Sequence, residues 1–338
     1  MNHKDEKSFF TGTARPFTDK DLIQSGAYTQ HKAPFSQTMN HPAVSLVLPV
    51  YNEAESLERF FNTVFSIMNL LPYTYEFIFI DDGSSDSSWD ILTMLAHKNP
   101  QVKVIQLSRN FGHQIALTAG YDYASGDAII SMDTDLQHPP ELIPQLLEKW
   151  QSGYNIVYAR KRNNEESFLK KYTSILYYKL LQSISSIIIP EKVADFRLID
   201  RETHDHMQKY RGKTRYLRGL VSWTGLSFTF VDFTCQKRTA GTSGYSLKKM
   251  FSLAWDGITT FSTLPLNLSL YMGFLMLFIF PWLILWIEPS FGLAALYCTT
   301  NMTFFFIWIL GAYISRIHQG ELGLSLYIVQ STINLHSY

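Results

Sequence analysis

The chain has 338 residues, two cysteines and a formal net charge of +0. Balanced charge, with no basic tract or basic–aromatic patch, excludes nucleic acid from the expected partners. Cys235 and Cys298 are too few for a disulfide framework and fit a reducing compartment, while the length allows one large domain plus an accessory region.

Residues 1–42 are polar and punctuated, lack an apolar h-region, and read as a disordered tail rather than a signal peptide. Val44–Pro49 then reads as a strand, with Val50-Tyr51-Asn52-Glu53 as the loop at its end. Leu57, Phe60, Phe61, Val64 and Phe65 recur at helical spacing. Phe77–Ile80 is a second strand running into Asp81-Asp82-Gly83-Ser84-Ser85-Asp86, and Trp89, Leu92, Leu95 and Ala96 mark the next helix. Val102–Leu107 is a third strand, ending in Ser108-Arg109-Asn110-Phe111-Gly112, and Ala128–Met132 a fourth. Strand and helix alternating from 44 to about 160 predict an α/β fold with a parallel sheet and helices on both faces. In such sheets the ligand sits beyond the carboxyl ends of the strands, where Asn52, Glu53, Asp81, Asp82, Asp133 and Asp135 all fall. No Gly-x-Gly-x-x-Gly follows the first strand and no Gly-Lys-Ser/Thr follows any, which sets aside a dinucleotide dehydrogenase and a P-loop NTPase. The Asp81–Asp86 segment has a plainer reading as a turn, with Ser85 or Asp86 capping the next helix.

Alternation along the fourth strand points Asp133 and Asp135 the same way as it ends. Two hard carboxylates there suit Mg²⁺ or Mn²⁺ shared with a diphosphate. Towards the C-terminus, Leu268–Ile287 and Phe291–Ile314 are two apolar runs of membrane-spanning length. The Glu288-Pro289-Ser290 break between them is short enough to be a turn, which predicts a transmembrane hairpin over 265–315. Lys248, Lys249, Arg316 and His318 flank it, while its tip carries no Lys or Arg, so both ends are expected in the cytoplasm. Leu247, Met250, Phe251, Ala254, Ile258 and Phe261 predict an interfacial amphipathic helix over 244–264, with a second candidate in 165–189 and a cytoplasmic tail over 316–338.

Leu48–Glu53, Asp81–Asp86, Leu107–Gly112 and Met132–Glu141 resemble the motifs of glycosyltransferase family 2. Asp195-Phe-Arg-Leu198, Leu217–Trp223 and Asp256–Pro265 are similar to its polyprenyl-phosphate branch, that of dolichol-phosphate mannose synthase and bactoprenol glucosyltransferase. The resemblance covers roughly 43–329 and places a Rossmann-like GT-A catalytic domain at 43–243. It implies inverting, metal-dependent transfer of a sugar from a nucleotide sugar, UDP expected ahead of GDP, to undecaprenyl or dolichyl phosphate. It further implies a multi-pass membrane protein, in a bacterial inner membrane ahead of the endoplasmic reticulum, with membrane lipid as a partner and homo-oligomers allowed.

The resemblance also implies residue roles. Pro49, Tyr51, Asn52, Glu53, Asp81, Asp82 and Asp133 hold the donor nucleotide, and Gln137 joins Asp133 and Asp135 around the metal, with His138 outside its ligand set. Asp195 and Arg197 are the catalytic candidates, with a simple salt bridge from Asp195 to Arg197 or Arg201 as the alternative. Arg218, Arg238 and Ser243 are the candidates for the acceptor phosphate, and Arg109 is unassigned. A phosphomonoester is mostly dianionic at neutral pH, so no strong base is required. Gly244 stands where relatives carry Lys or Arg, and Gly311-Ala312-Tyr313 replaces their Gly-Glu-Tyr. Two other readings stay open: a family 2 enzyme acting on a non-lipid acceptor, and a membrane-anchored binding protein without turnover.

Overall fold

The computed structural model describes residues 43–161, 190, 193–210, 216–233, 289–321 and 325–335, with isolated positions between 266 and 278. One eight-stranded sheet organises them, in the order β7-β5-β6-β4-β1-β2-β3-β8. The first four strands are β1 (Val44–Val50), β2 (Tyr75–Asp81), β3 (Val102–Leu107) and β4 (Ala128–Ser131), at the positions the sequence predicts. Strands β4, β1, β2 and β3 run parallel.

Helix α1 (Ala54–Asn69) buries Leu57, Phe60, Phe61 and Val64 against one sheet face, each contributing about 1.5–3 kcal/mol of burial. Helix α2 (Ser88–Lys98) packs on the same face through Leu92, Leu95 and Ala96. Helix α3 (His113–Tyr123) covers the other face, where Ala116, Leu117 and Ala119 meet Val47, Ile78 and Ile80. Gly120 makes that contact close, because an added Cβ would lie 2.3 Å from Val47 Cγ1.

The sheet is not purely parallel as predicted. Strand β6 (Val193–Asp200) lies antiparallel between β4 and β5 (Ile156–Lys161), and β7 (Phe228–Phe233) pairs with β5. Insertion of β6 leaves Asp195 and Arg197 on the face covered by α3, since Phe196 and Leu198 belong to the α1-side core. Helices α4 (Ile143–Gln151), α5 (Arg201–Gln208) and α6 (Leu217–Trp223) complete this half.

The C-terminal prediction needs two corrections. Among the described residues no helix is long and apolar enough to cross a membrane, so the transmembrane hairpin is not borne out. Its second run lies in helix α7 (Pro289–Glu321), where Thr299, Thr300, Asn301 and Thr303 interrupt the apolar residues. Pro289 and Ser290 are helical, in the first described turn of that helix, rather than part of a turn. The first run, Leu268–Ile287, falls almost wholly outside the described residues, as do 1–42, the helices expected at 165–189 and 244–264, and Gly244.

Second, residues 316–338 are not simply a tail. Strand β8 (Val329–Ile333) pairs antiparallel with the open edge of β3. Ser108 N donates to Ile328 O at 2.9 Å, Tyr327 Oη to Asp122 at 2.9 Å, and the Asn334 amide to Ala96 O and Val102 O.

Candidate active site

Strand order reverses between β1 and β4, and the loops at their carboxyl ends open a crevice there. Asn52 has φ +55°, and its side chain accepts from Ser85 N at 2.8 Å while its own N–H donates to Ser84 Oγ at 3.0 Å. Asp86 accepts from Ala54 N at 3.1 Å and from Ser88 N at 3.0 Å, satisfying the first turns of both α1 and α2. The two loops are therefore laced together before any ligand arrives. Tyr51 is exposed at the rim, whereas Pro49 is buried with its carbonyl accepting from Thr134 Oγ1.

Asp81 and Asp82 are both buried. Asp81 accepts from Ser84 N at 3.0 Å. Asp82 spends both carboxylate oxygens on backbone, accepting from Phe111 N at 2.7 Å and Gly112 N at 2.9 Å. It thereby splints the loop after β3. Gly83 (φ +68°) admits this close approach: a Cβ there would lie 2.6 Å from the carbonyl carbon of Arg109. Arg109 stacks over Phe111 at 4.1 Å. Asn110 does not cap the next helix; Gly112, at φ +97°, occupies that position.

That loop delivers His113, one residue beyond the Leu107–Gly112 motif and without a local mark of its own. Its Nε2 lies 3.5 Å from Asp133 Oδ1 and 3.4 Å from Asp195 Oδ2. His138 Nδ1 approaches Asp133 from the other side at 3.6 Å, its ring packed against Phe196 and Phe233. Asp135 accepts from both the backbone and the side-chain amide of Gln137. Burial is the main cause that raises Asp133 above the usual carboxylate range, with Asp195 and Asp135 adding to it against the pull of His113 and His138. Glu53 is raised likewise, by burial first and then by Asp135, Asp133 and Asp86.

Carboxylates crowded in this way at a strand end suit a hard divalent cation. Among the described residues no group of three or more His, Cys, Asp or Glu side chains forms a closed metal cage. Magnesium is commonly held by one or two carboxylates together with substrate phosphates, so Asp133 and Asp135, with Gln137 adjacent, fit an ion completed by its substrate.

Asp195 is the hub of the other half. It accepts from Arg197 Nη2 at 2.8 Å, Arg218 Nε at 3.1 Å and Arg218 Nη2 at 3.2 Å. Burial would raise its pKa, but Arg218, the His113 hydrogen bond and Arg197 together outweigh it and hold Asp195 well below the ordinary carboxylate range. Arg197 is fully buried, and among the described residues its Nε and Nη1 have no hydrogen-bond partner, so its link to the cleft there runs through Asp195. The predicted catalytic pair is thus a buried salt bridge extended by Arg218. Asp195, Arg218, Tyr216 and the segment from Phe111 to Ile115 that leads into α3 line a cleft of about 220 Å³. Arg238 and Ser243 lie outside the described residues.

A family model described as glycosyl transferase family 2 matches residues 45–207. The uncharacterized glycosyltransferase YkcC of Bacillus subtilis (strain 168) is 41% identical over 310 residues, covering 88% of this chain and 96% of that protein. The bactoprenol glucosyl transferase of Shigella phage SfV is 42% identical over 231 residues, covering 68% of this chain and 75% of that protein. Among solved structures, glucosyl-3-phosphoglycerate synthase from Mycobacterium tuberculosis matches at 18% identity and TM-score 0.43, over 74% of this chain and 85% of that one. A chain that spans nearly the whole of one such relative, and whose acidic strand ends converge on one crevice, belongs to glycosyltransferase family 2 and is a glycosyltransferase similar to the bactoprenol glucosyl transferases.

Proposed function

We propose that the chain transfers a sugar from a nucleotide sugar to a polyprenyl monophosphate, with inversion at the anomeric carbon, at a cytoplasm-facing membrane surface. The observation that carries this reading is the state of Asp195. It is ionised and occupied by Arg197, Arg218 and His113, which leaves it poorly suited to take a proton from an acceptor. An acceptor that arrives already anionic needs no base, and a phosphomonoester with its second pKa near about 6 is such a nucleophile. The names of the bactoprenol relatives point the same way.

Asp133 and Asp135, with Gln137, hold Mg²⁺ or Mn²⁺ in this reading. A bound cation offsets the charge that develops on the departing diphosphate. Tyr51 at the rim faces the donor base, while Asn52 and Glu53 keep the first loop in register. Arg218 supplies fixed positive charge beside the cleft in the planar form best suited to phosphate.

Attachment to a lipid surface is supported by α7, which leaves Phe304, Phe305, Ile307, Trp308, Leu310, Ile314 and Ile317 exposed. Strand β8 supports one sidedness for the whole chain, because the segment after α7 rejoins the catalytic sheet. The test is incubation of the purified protein with labelled UDP- and GDP-sugars and with undecaprenyl or dolichyl phosphate. Label carried into a mild-acid-labile lipid is expected. Label passing only to a polysaccharide or a protein would reject the lipid acceptor.

A further inference from the structure

His113 stands between two carboxylates that belong to different halves of the site. Asp133 lies just past the end of β4, on the donor side, while Asp195 lies on β6, inside the cleft of about 220 Å³ that His113 also lines. A single ring nitrogen reaches both, at 3.5 and 3.4 Å. Its backbone is fixed from behind, because Asp82 holds the N–H groups of Phe111 and Gly112, and α3 begins at His113 itself. Its neighbour Gln114 extends the same brace, donating to Asp195 Oδ2 at 3.5 Å and accepting from Leu217 N at 3.2 Å.

We propose that His113 is a positioning residue for sugar transfer: its Nε2–H sets the spacing between Asp133 and Asp195, and so the distance between the anomeric carbon and the incoming nucleophile. This rests on the transfer reading above. Reacting atoms must approach to about 3–3.5 Å, and a misplacement of about 1 Å can cost about 10²-fold in rate. A residue that sets spacing without holding the donor should therefore act on kcat and leave donor affinity nearly unchanged.

The experiment compares wild type, His113→Ala and His113→Gln in lipid transfer, in donor hydrolysis to free sugar, and in Mn²⁺·UDP binding by calorimetry. The glutamine variant keeps an N–H donor near the place of Nε2. Expected are a loss of about 10- to 100-fold in kcat for His113→Ala, a Kd within about threefold of wild type, and recovery of most of the rate by His113→Gln. A merely structural role would not give rescue by glutamine at unchanged Kd. Wild-type kcat in His113→Ala, a glutamine variant as slow as the alanine one, or a loss of affinity equal to the loss of rate would each overturn the proposal. If the wild type hydrolyses donor but labels no polyprenyl phosphate, the acceptor reading fails on its own, and the same three comparisons are then read from hydrolysis.

Discussion

Replacing Asp195 by Asn should destabilise the protein far more than the same change at Asp135. Asp195 is the only hydrogen-bonding partner found for the buried Arg197 guanidinium among the described residues, through Nη2 at 2.8 Å. Asn keeps an acceptor oxygen but removes the countercharge from a fully buried cation. Removing one partner of a buried ion pair costs about 3–5 kcal/mol; the retained acceptor puts the expectation near the lower figure. At about 2–4 °C per kcal/mol for a unit of this size, the melting temperature should fall by about 6–12 °C. Asp135 is only part-buried and its carboxylate bonds its own neighbour Gln137, so Asp135→Asn should stay within about 2 °C, as a change of roughly 0.5 kcal/mol implies. Thermal melts of both variants decide the matter, and a third sharpens it. Adding Arg197→Met to Asp195→Asn removes the orphaned charge and should return much of the loss, because an apolar replacement of a buried pair is often close to neutral. An Asp195→Asn protein that melts with the wild type, or a double variant as unstable as the single one, would refute this account of the buried pair.

Asp133→Asn and Asp135→Asn should each lower kcat by about 10²–10³-fold, the scale of losing one electrostatic stabiliser, while folding survives. EDTA should abolish wild-type turnover and Mg²⁺ or Mn²⁺ restore it; full activity in EDTA would count against the cation assignment. Gly83→Ala should cost at least the roughly 1–2 kcal/mol of a left-handed residue, plus the clash with Arg109 and Asn110. Because the displaced loop carries His113, kcat should fall along with the melting temperature. Glu76 is buried, which raises its pKa, but hydrogen bonds from Lys103, Ser45 and Ser125 prevail and hold it below the ordinary value. Its stabilisation is therefore present above the unfolded pKa of about 4.3 and lost as pH falls through the lower folded value. Melting curves of wild type and Glu76→Gln should be well separated at pH 7 and converge in acid; a gap that widens in acid would reverse the sign.

What was legible in the sequence is what local pattern encodes. The apolar runs of β1 to β4 and the stripes of α1 and α2 announce themselves within a few residues, and with them the crevice at the strand ends. Strand direction does not. Nothing within Val193–Asp200 tells whether β6 runs with or against β4, so the mixed sheet had to be seen. Strand β8 carries little local mark, because Gln330, Ser331 and Thr332 leave it only its two ends apolar and its partner lies far away in the chain. The motif marks Asp82 as part of an acidic loop but not as a splint, because the backbone amides it accepts from come from another loop. His113 carries no local mark at all, since its role comes from Asp133 and Asp195 on two other elements. Of the alternative salt bridges from Asp195, the one to Arg197 is present, while Arg201 donates instead to the carbonyls of Ala124 and Gly126.

The pairing of β8 with β3 also has a consequence for biosynthesis. Gln106 on β3 bonds Ser331 on β8 across 225 residues. A ribosome adding about 5–20 residues per second therefore makes β3 some ten to forty-five seconds before its edge partner exists. During that interval the growing sheet presents an unpaired edge, the kind of surface that recruits other strands. Strand β3 carries Lys103 and Gln106 among its apolar residues, a charge and an amide placed where an exposed edge would otherwise be most adhesive. The chain thus finishes its catalytic sheet last, and a product that stops short of β8 leaves the edge beside the His113 loop open for good.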